Sequence, residues 1–162
     1  MSIIIRQGTA DDLPAVLQLI KELAAYENAP NEVTLTLEDM HKDGFGEKPL
    51  FELLVAESNG SIQGMALYFY SYSTWKGKCI YLEDIVVKED ARRKGIGLKL
   101  FEALIEKAHD FGAQRLQWQV LDWNQPAISF YKKINSNLDP SWINCKLTFD
   151  QLVSYTSSES RD

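Results

Sequence analysis

Cysteine and histidine are scarce in this chain of 162 residues, which contains two of each. Cys79 and Cys145 have no C-x-x-C partner, and His41 and His109 have no neighbouring Ser, Cys or carboxylate arrangement that marks a nucleophile and its base. These absences argue against a disulfide framework, a metal site and a catalytic triad. We expect both cysteines to be small buried side chains in strands, and both histidines to lie on helices in structural or surface positions.

Long apolar runs and a broad basic face are also missing. No segment approaches the roughly 20 apolar residues of a membrane span, and Met1–Thr9 lacks the charged start and apolar core of a secretory signal. The net charge of −6 weighs against nucleic-acid binding. We expect no membrane or nucleic-acid partner and, by default, a cytoplasmic location. Acidity suits a cationic substrate, although solubility alone explains it equally well.

Apolar periodicity divides the first half of the chain into elements. With 45% hydrophobic residues, the chain can bury one core. The pattern predicts a strand at Ile3–Ile5, a helix entered through Thr9–Asp12, a short helix over Leu37–Lys42, and strands over Phe51–Glu57 and Ile62–Ser71. Asn59-Gly60 between the last two strands is typical of a tight hairpin, so the sheet begins antiparallel.

The second half alternates strands and helices. We predict strands over Lys78–Val87, Arg115–Leu121 and Ile143–Thr148, and helices over Gly97–Phe111 and Gln125–Ile134. The strands that flank the first of these helices should be parallel. The fold class is therefore α/β (α+β), with a mixed twisted sheet in one domain over residues 1–155. Residues 156–162 are polar, and we expect them to form a disordered tail.

A basic, glycine-containing turn follows the strand that ends at Val87. Arg92-Arg93-Lys94-Gly95-Ile96-Gly97 precedes an amphipathic helix, and the first turn of a helix attracts anions through its free N–H groups and dipole. The third glycine of a dinucleotide fingerprint and the G-K-[ST] of a P-loop are both absent. The remaining pattern, R-x-x-G-x-G, fits a polyphosphate site, although an ordinary solvated basic turn explains it about equally well.

Two further groups of polar residues follow strands or interrupt them. Glu83 and Asp84 stand in an otherwise apolar strand, and they point to opposite faces unless a bulge intervenes. A local ion pair is the structural alternative. Asn124 can cap a helix that has Pro126 in its first turn and Tyr131 two turns along, where simple aromatic packing is the alternative.

R-x-x-G-x-G followed by N-x-x-A-x-x-F-Y resembles the GCN5-related N-acetyltransferases, whose cofactor is acetyl-coenzyme A. The resemblance implies a GNAT fold, Tyr131 as general acid toward the departing sulfur, and no metal. It also implies that backbone N–H groups around Ile85 polarise the thioester. The implied cofactor-binding residues are Ile85, Val86, Val87, Arg92, Arg93, Lys94, Gly95, Ile96, Gly97, Leu98, Asn124, Gln125, Pro126 and Ala127.

Several separated segments narrow the resemblance to the diamine acetyltransferases, the spermidine/spermine and thialysine branch. They include residues 21–27, Asp43–Gly46, Leu54–Glu57, Trp75–Lys78 and Tyr81–Val87, and the similarity runs from about Ile3 to Lys133. The resemblance implies a small cationic amine as substrate and a homodimer. Because an alkyl amine with a pKa of about 10 arrives protonated, a base must remove a proton before attack, and we assign this role to Glu83, acting through water. The implied substrate-binding residues are Tyr26, Glu27, Trp75, Glu83 and Asp84, although Tyr26 and Glu27 could simply end a helix before Pro30.

The chain also departs from this branch. Asn135 replaces the usual glycine after the F-Y-K helix, and Asn tolerates the left-handed backbone that such a turn needs. The segment Asn135–Ser141 is shorter than in the animal polyamine enzymes, and Asp139 is only a possible counterpart of their acidic substrate contact. An enzyme acting on an amino acid or a protein amine, and a CoA-binding module without turnover, stay open as alternatives.

Overall fold

The computed structural model describes residues 2–157, and its contacts divide the chain into two units, Met1–Gln119 and Val120–Asp162. The first unit contains β1 (Ile4–Gln7), α1 (Leu13–Tyr26), α2 (Leu37–Phe45), β2 (Glu52–Ser58), β3 (Ser61–Ser73), β4 (Gly77–Val87), α3 (Ile96–Phe111) and β5 (Leu116–Gln117). The second contains α4 (Gln125–Lys133) and α5 (Phe149–Ser157). Short 3-10 turns at Ala10–Asp12 and Glu89–Ala91 precede α1 and α3.

The sheet of the first unit has the strand order β1-β2-β3-β4-β5. Strands β1 to β4 pair antiparallel, and β5 pairs parallel with β4, which confirms the mixed sheet expected from the sequence. The β2–β3 hairpin turns at Asn59 and Gly60, with φ of 51° and 72°. Both residues are left-handed, as a two-residue hairpin with the twist of its strands requires.

One face of the sheet is covered by α1 and α2. Their buried residues join those of β2 and β3 in one apolar cluster that includes Val16, Leu19, Met40, Val55 and Met65, all of them fully inaccessible to solvent. The helix α3 packs on β2, β3 and β4, and its Leu100 and Leu104 are fully buried. Burying such aliphatic side chains stabilises the fold by about 1.5–3 kcal/mol each.

The start of α1 is fixed to the sheet by a charged network around Asp12. Arg6 on β1 donates two hydrogen bonds to the Asp12 carboxylate, at 2.7 and 2.8 Å, and a third to Glu57 on β2 at 2.8 Å. The Thr9 backbone N–H also donates to Asp12, at 2.8 Å. These donors, Arg6 first, lower the pKa of Asp12 to about 2.

The C-terminal part differs from the prediction. The strand predicted over Ile143–Thr148 is wrong, because this segment pairs with no strand of the described chain and its residues are exposed. Instead, Thr148 and Gln151 form a reciprocal cap that starts α5: the Thr148 N–H donates to Gln151 at 2.8 Å, and the Gln151 N–H donates to Thr148 at 3.4 Å. This T-x-x-Q capping box is a signal that the sequence contains.

Other predictions for single elements and residues are confirmed only in part. The strand predicted over Arg115–Leu121 shortens to Leu116–Gln117. Cys79 is buried in β4 as expected, but Cys145 is exposed outside any strand, so its predicted buried position is wrong. Both histidines lie exposed on helices, as predicted. Of the predicted tail, Thr156 and Ser157 end α5, and residues 158–162 lie outside the described part of the chain.

Candidate active site

A bulge in β4 lies at the acidic pair. Leu82 pairs with Tyr68 of β3 and Asp84 pairs with Leu67, so Glu83 has no partner in the ladder. The bulge that the two adjacent carboxylates suggested is therefore present. Tyr81 pairs with Phe69, two residues from Leu67, so the bulge places Tyr81 and Asp84 on the same face although they are three residues apart.

Three carboxylates interact electrostatically at this bulge. The pKa of Asp84 is raised to about 6, first by burial and then by the negative charges of Glu83 and Glu27. Burial also raises the pKa of Glu27. Glu83 itself is exposed. Among residues 2–157, no Lys or Arg forms an ion pair with Glu27, Glu83 or Asp84. These carboxylates are therefore suited to attract a cation from solution.

Tyr81 belongs to the same cluster and was not among the predicted site residues. Its pKa is raised, mainly by burial and then by the charges of Glu83 and Asp84. Its ring stacks on Phe69, with centroids 5.2 Å apart. The bulge is the feature that could have identified Tyr81 as a site residue. Without the extra residue, Tyr81 and Asp84 would lie on opposite faces of the strand.

The end of α1 brings Glu27 to this cluster. Tyr26 is the last residue of the helix and Glu27 caps it, while Asn28 is left-handed at φ 60° and the Ala29 N–H donates to Ala24 at 2.8 Å. The helix end proposed as the structural alternative is thus real. A carboxylate near the negative end of a helix dipole destabilises the helix, however. Glu27 therefore does not stabilise α1 at this position.

The basic turn between β4 and α3 contacts the same helix end. The Arg92 guanidinium carbon lies 5.5 Å from the ring centroid of Tyr26, and Arg92 Nε donates to the Val87 carbonyl at 3.1 Å. Arg93 and Gly95 are left-handed, with φ of 62° and 76°, and Gly95 is the N-cap of α3. A non-glycine residue such as Arg93 adopts this conformation only at a cost in strain, which is common at ligand sites.

Gly97 lies in the first turn of α3 without a positive φ. A Cβ added there would have its nearest neighbour, a methyl group of Val87, at 3.8 Å, an ordinary contact. Neither backbone conformation nor packing therefore requires glycine, although glycine within a helix costs about 0.5–1 kcal/mol relative to alanine. The space that a Cβ would fill leaves the helix N-terminus open to a phosphate, so these residues fit the pyrophosphate of coenzyme A.

Strand β4 also has an open edge beside this turn. Its ladder with β5 covers only Ile80–Leu116 and Tyr81–Gln117, and β4 continues to Val87 along an edge that no strand of the described chain pairs. The open stretch includes Ile85, Val86 and Val87. Such an edge can pair with the amide groups of an extended ligand, as coenzyme A provides.

The second unit carries the remaining predicted residues, on α4. The Asn124 side chain accepts a hydrogen bond from the Ala127 N–H at 3.3 Å, and Pro126 lies in the first turn, so the predicted cap is confirmed. Tyr131 is buried, and its ring contacts that of Phe130 edge to face. Asn135 is left-handed at φ 60° and ends the helix, as expected for the residue that replaces glycine.

Trp75 is the predicted site residue that the structure leaves apart from the acidic cluster. It lies in the turn before β4 and is 82% exposed. Glu83 lies six residues beyond Gly77, the first residue of β4, which is about 20 Å along the strand. Within one chain, Trp75 is therefore not part of the cluster formed by Glu27, Glu83 and Asp84.

Residues 15–135 match the model of the acetyltransferase (GNAT) family. The chain belongs to this family and is an N-acetyltransferase, which confirms the resemblance seen in the sequence. It is 42% identical over 142 residues to the thialysine N-epsilon-acetyltransferase of Bos taurus, covering 83% of this chain and 84% of that protein. It is 39% identical over 134 residues to a human spermidine/spermine N(1)-acetyltransferase-like protein, covering 78% of this chain and 19% of that protein.

The fold has a solved counterpart. An integron cassette protein from the mobile metagenome of V. cholerae superposes with a TM-score of 0.80 at 24% identity, over 98% of this chain and 99% of that one. Among residues 2–157, no cluster of three or more His, Cys, Asp or Glu side chains could hold a metal ion. No helix in the same range combines the length and apolar character needed to cross a membrane.

Proposed function

We propose that this chain transfers the acetyl group of acetyl-coenzyme A to a primary amine of a small cationic molecule, a diamine, a polyamine or a thialysine-like amine. The observation that carries the proposal is the convergence of Glu27, Glu83 and Asp84 at the β4 bulge, in the same unit as the turn that contains Arg92 and Gly97. The names of the curated relatives support this substrate class.

The cofactor-binding residues in this proposal belong to the turn and the open strand edge of the first unit and, in the second unit, to the start of α4. The N–H groups of Arg93–Leu98 hold the pyrophosphate at the start of α3, with Arg92 and Lys94 adding positive charge. Backbone groups of Ile85–Val87 pair with the amides of the pantetheine arm, and Asn124–Ala127 line its lower part. When bound, acetyl-coenzyme A supplies an activated acetyl thioester.

The substrate site uses the acidic cluster. A diamine has one ammonium group to anchor and one amine to acetylate, and the carboxylates of Glu27 and Asp84 suit the anchored ammonium. The aromatic faces of Tyr26 and Tyr81 suit the alkyl stem beside a cation. An amino acid or a protein amine is the second candidate substrate.

Two proton transfers complete the reaction. An alkyl amine with a pKa of about 10 arrives as ammonium, so a base must accept one of its protons before attack. Glu83, which is exposed, does this through a water molecule. N–H groups of the backbone around Ile85 polarise the thioester carbonyl. Tyr131 then donates its Oη proton to the coenzyme A sulfur as the carbon–sulfur bond breaks.

The test separates turnover from cofactor binding. In Glu83→Gln and Tyr131→Phe, kcat should fall by about 10²–10⁴, while the Kd of acetyl-coenzyme A measured by calorimetry stays within about twofold. Glu106→Gln and Tyr72→Phe remove the same groups at exposed positions and should leave both quantities unchanged. Full activity in either site variant would refute the role of that residue.

The homodimer and the cytoplasmic location implied by the sequence are also proposals. Light scattering on the purified chain should give twice its mass of 18.5 kDa. A mass of a single chain at micromolar concentration would contradict the dimer. Trp75, which is exposed and remote from its own acidic cluster, is the predicted substrate residue whose role depends on a second subunit.

A further inference from the structure

A cavity outside the acidic cluster lies between the β2–β3 hairpin and the start of α3. Its volume is about 500 Å³, within the roughly 300–1,000 Å³ typical of small-molecule sites. None of its lining residues belongs to the acidic cluster, and all of them lie in the first unit. It is therefore a candidate for a second ligand group.

Ser58 lines this cavity at the end of β2. The residue is only 7% exposed, and its Oγ is the one buried side-chain polar atom of the described chain that has no hydrogen-bond partner. A buried hydroxyl without a partner costs about 1–3 kcal/mol. Because the cavity adjoins it, a ligand in the cavity could supply the missing hydrogen bond.

The charges around the cavity favour an anion. Lys94 and Lys99 line it together with the first turn of α3, where the helix dipole is positive. The opposing charge is the single carboxylate of Asp90, whose backbone carbonyl accepts a hydrogen bond from Lys94 Nζ at 2.9 Å. Two cations and a helix N-terminus thus face one carboxylate, in a protein whose net charge is −6.

We propose that this cavity binds the phosphate group of a phosphate ester, through Ser58, Lys99 and Lys94. A phosphate has oxygens that can accept from a hydroxyl and from two ammonium groups together. The cavity is larger than a phosphate ion needs, so it has room for part of the ester. The phosphate has two possible sources: the 3′-phosphate of coenzyme A, or a separate phosphorylated small molecule.

The first source rests on the proposed function, because Lys94 belongs both to the cofactor turn and to this cavity. The second source does not. Amide NMR of the whole chain distinguishes them, with the hairpin residues Asn59–Gln63 as reporters of this cavity and with Arg92, Arg93 and Gly97, which do not line it, as reporters of the cofactor turn. The probes are coenzyme A, 3′-dephospho-coenzyme A and inorganic phosphate, each at constant ionic strength against acetate.

If the 3′-phosphate is the occupant, coenzyme A shifts the hairpin amides and 3′-dephospho-coenzyme A does not. If a separate phosphate is the occupant, inorganic phosphate shifts the hairpin amides saturably, even when 3′-dephospho-coenzyme A fills the cofactor site. In either case Lys99→Gln should weaken the hairpin response at least fivefold, and Lys107→Gln, farther along α3, should not.

The Ser58→Ala variant should fold normally, because the hydroxyl that it removes makes no hydrogen bond in the described chain. It should weaken the same response without lowering the urea midpoint. Hairpin amides that stay unmoved by all three probes, or that respond equally in Lys99→Gln, would overturn the proposal. Failure of coenzyme A to shift the amides of Arg92, Arg93 and Gly97 would instead refute the proposed cofactor site.

Discussion

Arg92 covers the aromatic ring of Tyr26, with its guanidinium carbon 5.5 Å from the ring centroid. The contact joins the turn proposed to hold the pyrophosphate to the last residue of α1, which is followed directly by Glu27 of the acidic cluster. A change at either residue therefore reaches both proposed sites. This coupling is specific to the folded chain, because the two residues lie 66 positions apart in the sequence.

Tyr26→Leu should weaken acetyl-coenzyme A binding although Tyr26 belongs to the proposed amine site. Loss of the ring removes a cation–π contact of about 0.5–1 kcal/mol from Arg92, which is a rise in Kd of roughly two- to fivefold. Tyr26→Phe keeps the ring and should bind the cofactor like the wild type. Calorimetry measures both, and equal Kd values for all three proteins would show that the contact does not position Arg92.

Gly97→Ala should stabilise the fold and weaken cofactor binding at the same time. The free energy of unfolding should rise by about 0.5–1 kcal/mol, because alanine is the better helix former and its Cβ meets no close neighbour. The same Cβ should obstruct the phosphate and raise the Kd of acetyl-coenzyme A at least tenfold. Urea unfolding and calorimetry test the two effects, and unchanged cofactor affinity would remove the ligand explanation for this glycine.

Asp84→Asn should stabilise the protein at pH 7 and have little effect at pH 4. The pKa of Asp84 in the folded state, about 6, lies above the ordinary value of 3.8, so between these pH values the folded protein binds the proton more tightly than the unfolded chain does. The folded state therefore loses stability as the pH rises from 4 to 6. The cost above pH 6 is on the order of 3 kcal/mol. Urea midpoints at the two pH values test this.

The exposed Asp110→Asn is the matched control for that measurement. Equal stabilisation by Asp84→Asn at both pH values would contradict a buried, mutually repelling cluster. In wild-type kinetics, kcat/KM for a diamine should also rise through about pH 6 as Asp84 ionises. That part of the profile should disappear in Asp84→Asn.

Asp12→Asn should show the opposite pH dependence. Its pKa of about 2 lies below the ordinary value of 3.8, so the charged carboxylate contributes stability that is present above pH 4 and lost as the pH falls toward 2. The variant should lose on the order of 2 kcal/mol at pH 7 and clearly less at pH 3. Urea unfolding of Asp12→Asn beside Asp11→Asn, an exposed neighbour, provides the comparison.

The elements that the sequence predicts well have local signals. The Asn59-Gly60 hairpin, the Asn124 cap and the end of α4 at Asn135 each depend on residues whose preferred backbone conformation or side-chain hydrogen bond decides the structure. The bulge at Glu83 also follows from a local conflict, since two adjacent carboxylates interrupt an apolar strand.

The parts that the sequence does not predict depend on distant partners. Residues Ile143–Thr148 have strand-forming side chains, but a strand needs a neighbour, and the capping box at Thr148 starts a helix instead. The contact of Arg92 with Tyr26, the raised pKa of Asp84 and the buried hydroxyl of Ser58 all require the folded chain. Sequence spacing shows neither the burial of Asp84 and Ser58 nor the contact between Arg92 and Tyr26.

The most direct test of an acidic amine site is a steady-state assay of acetyl-coenzyme A-dependent thiol release across matched amines. The panel comprises a diamine, spermidine, thialysine, a lysine-containing peptide and a monoamine that has the length of the diamine but lacks its second amine. We expect kcat/KM for the diamine, spermidine or thialysine to exceed that for the monoamine at least tenfold, and Glu27→Gln to reduce this preference. A preference for the monoamine would contradict the assignment of Glu27, Glu83 and Asp84 as the substrate site.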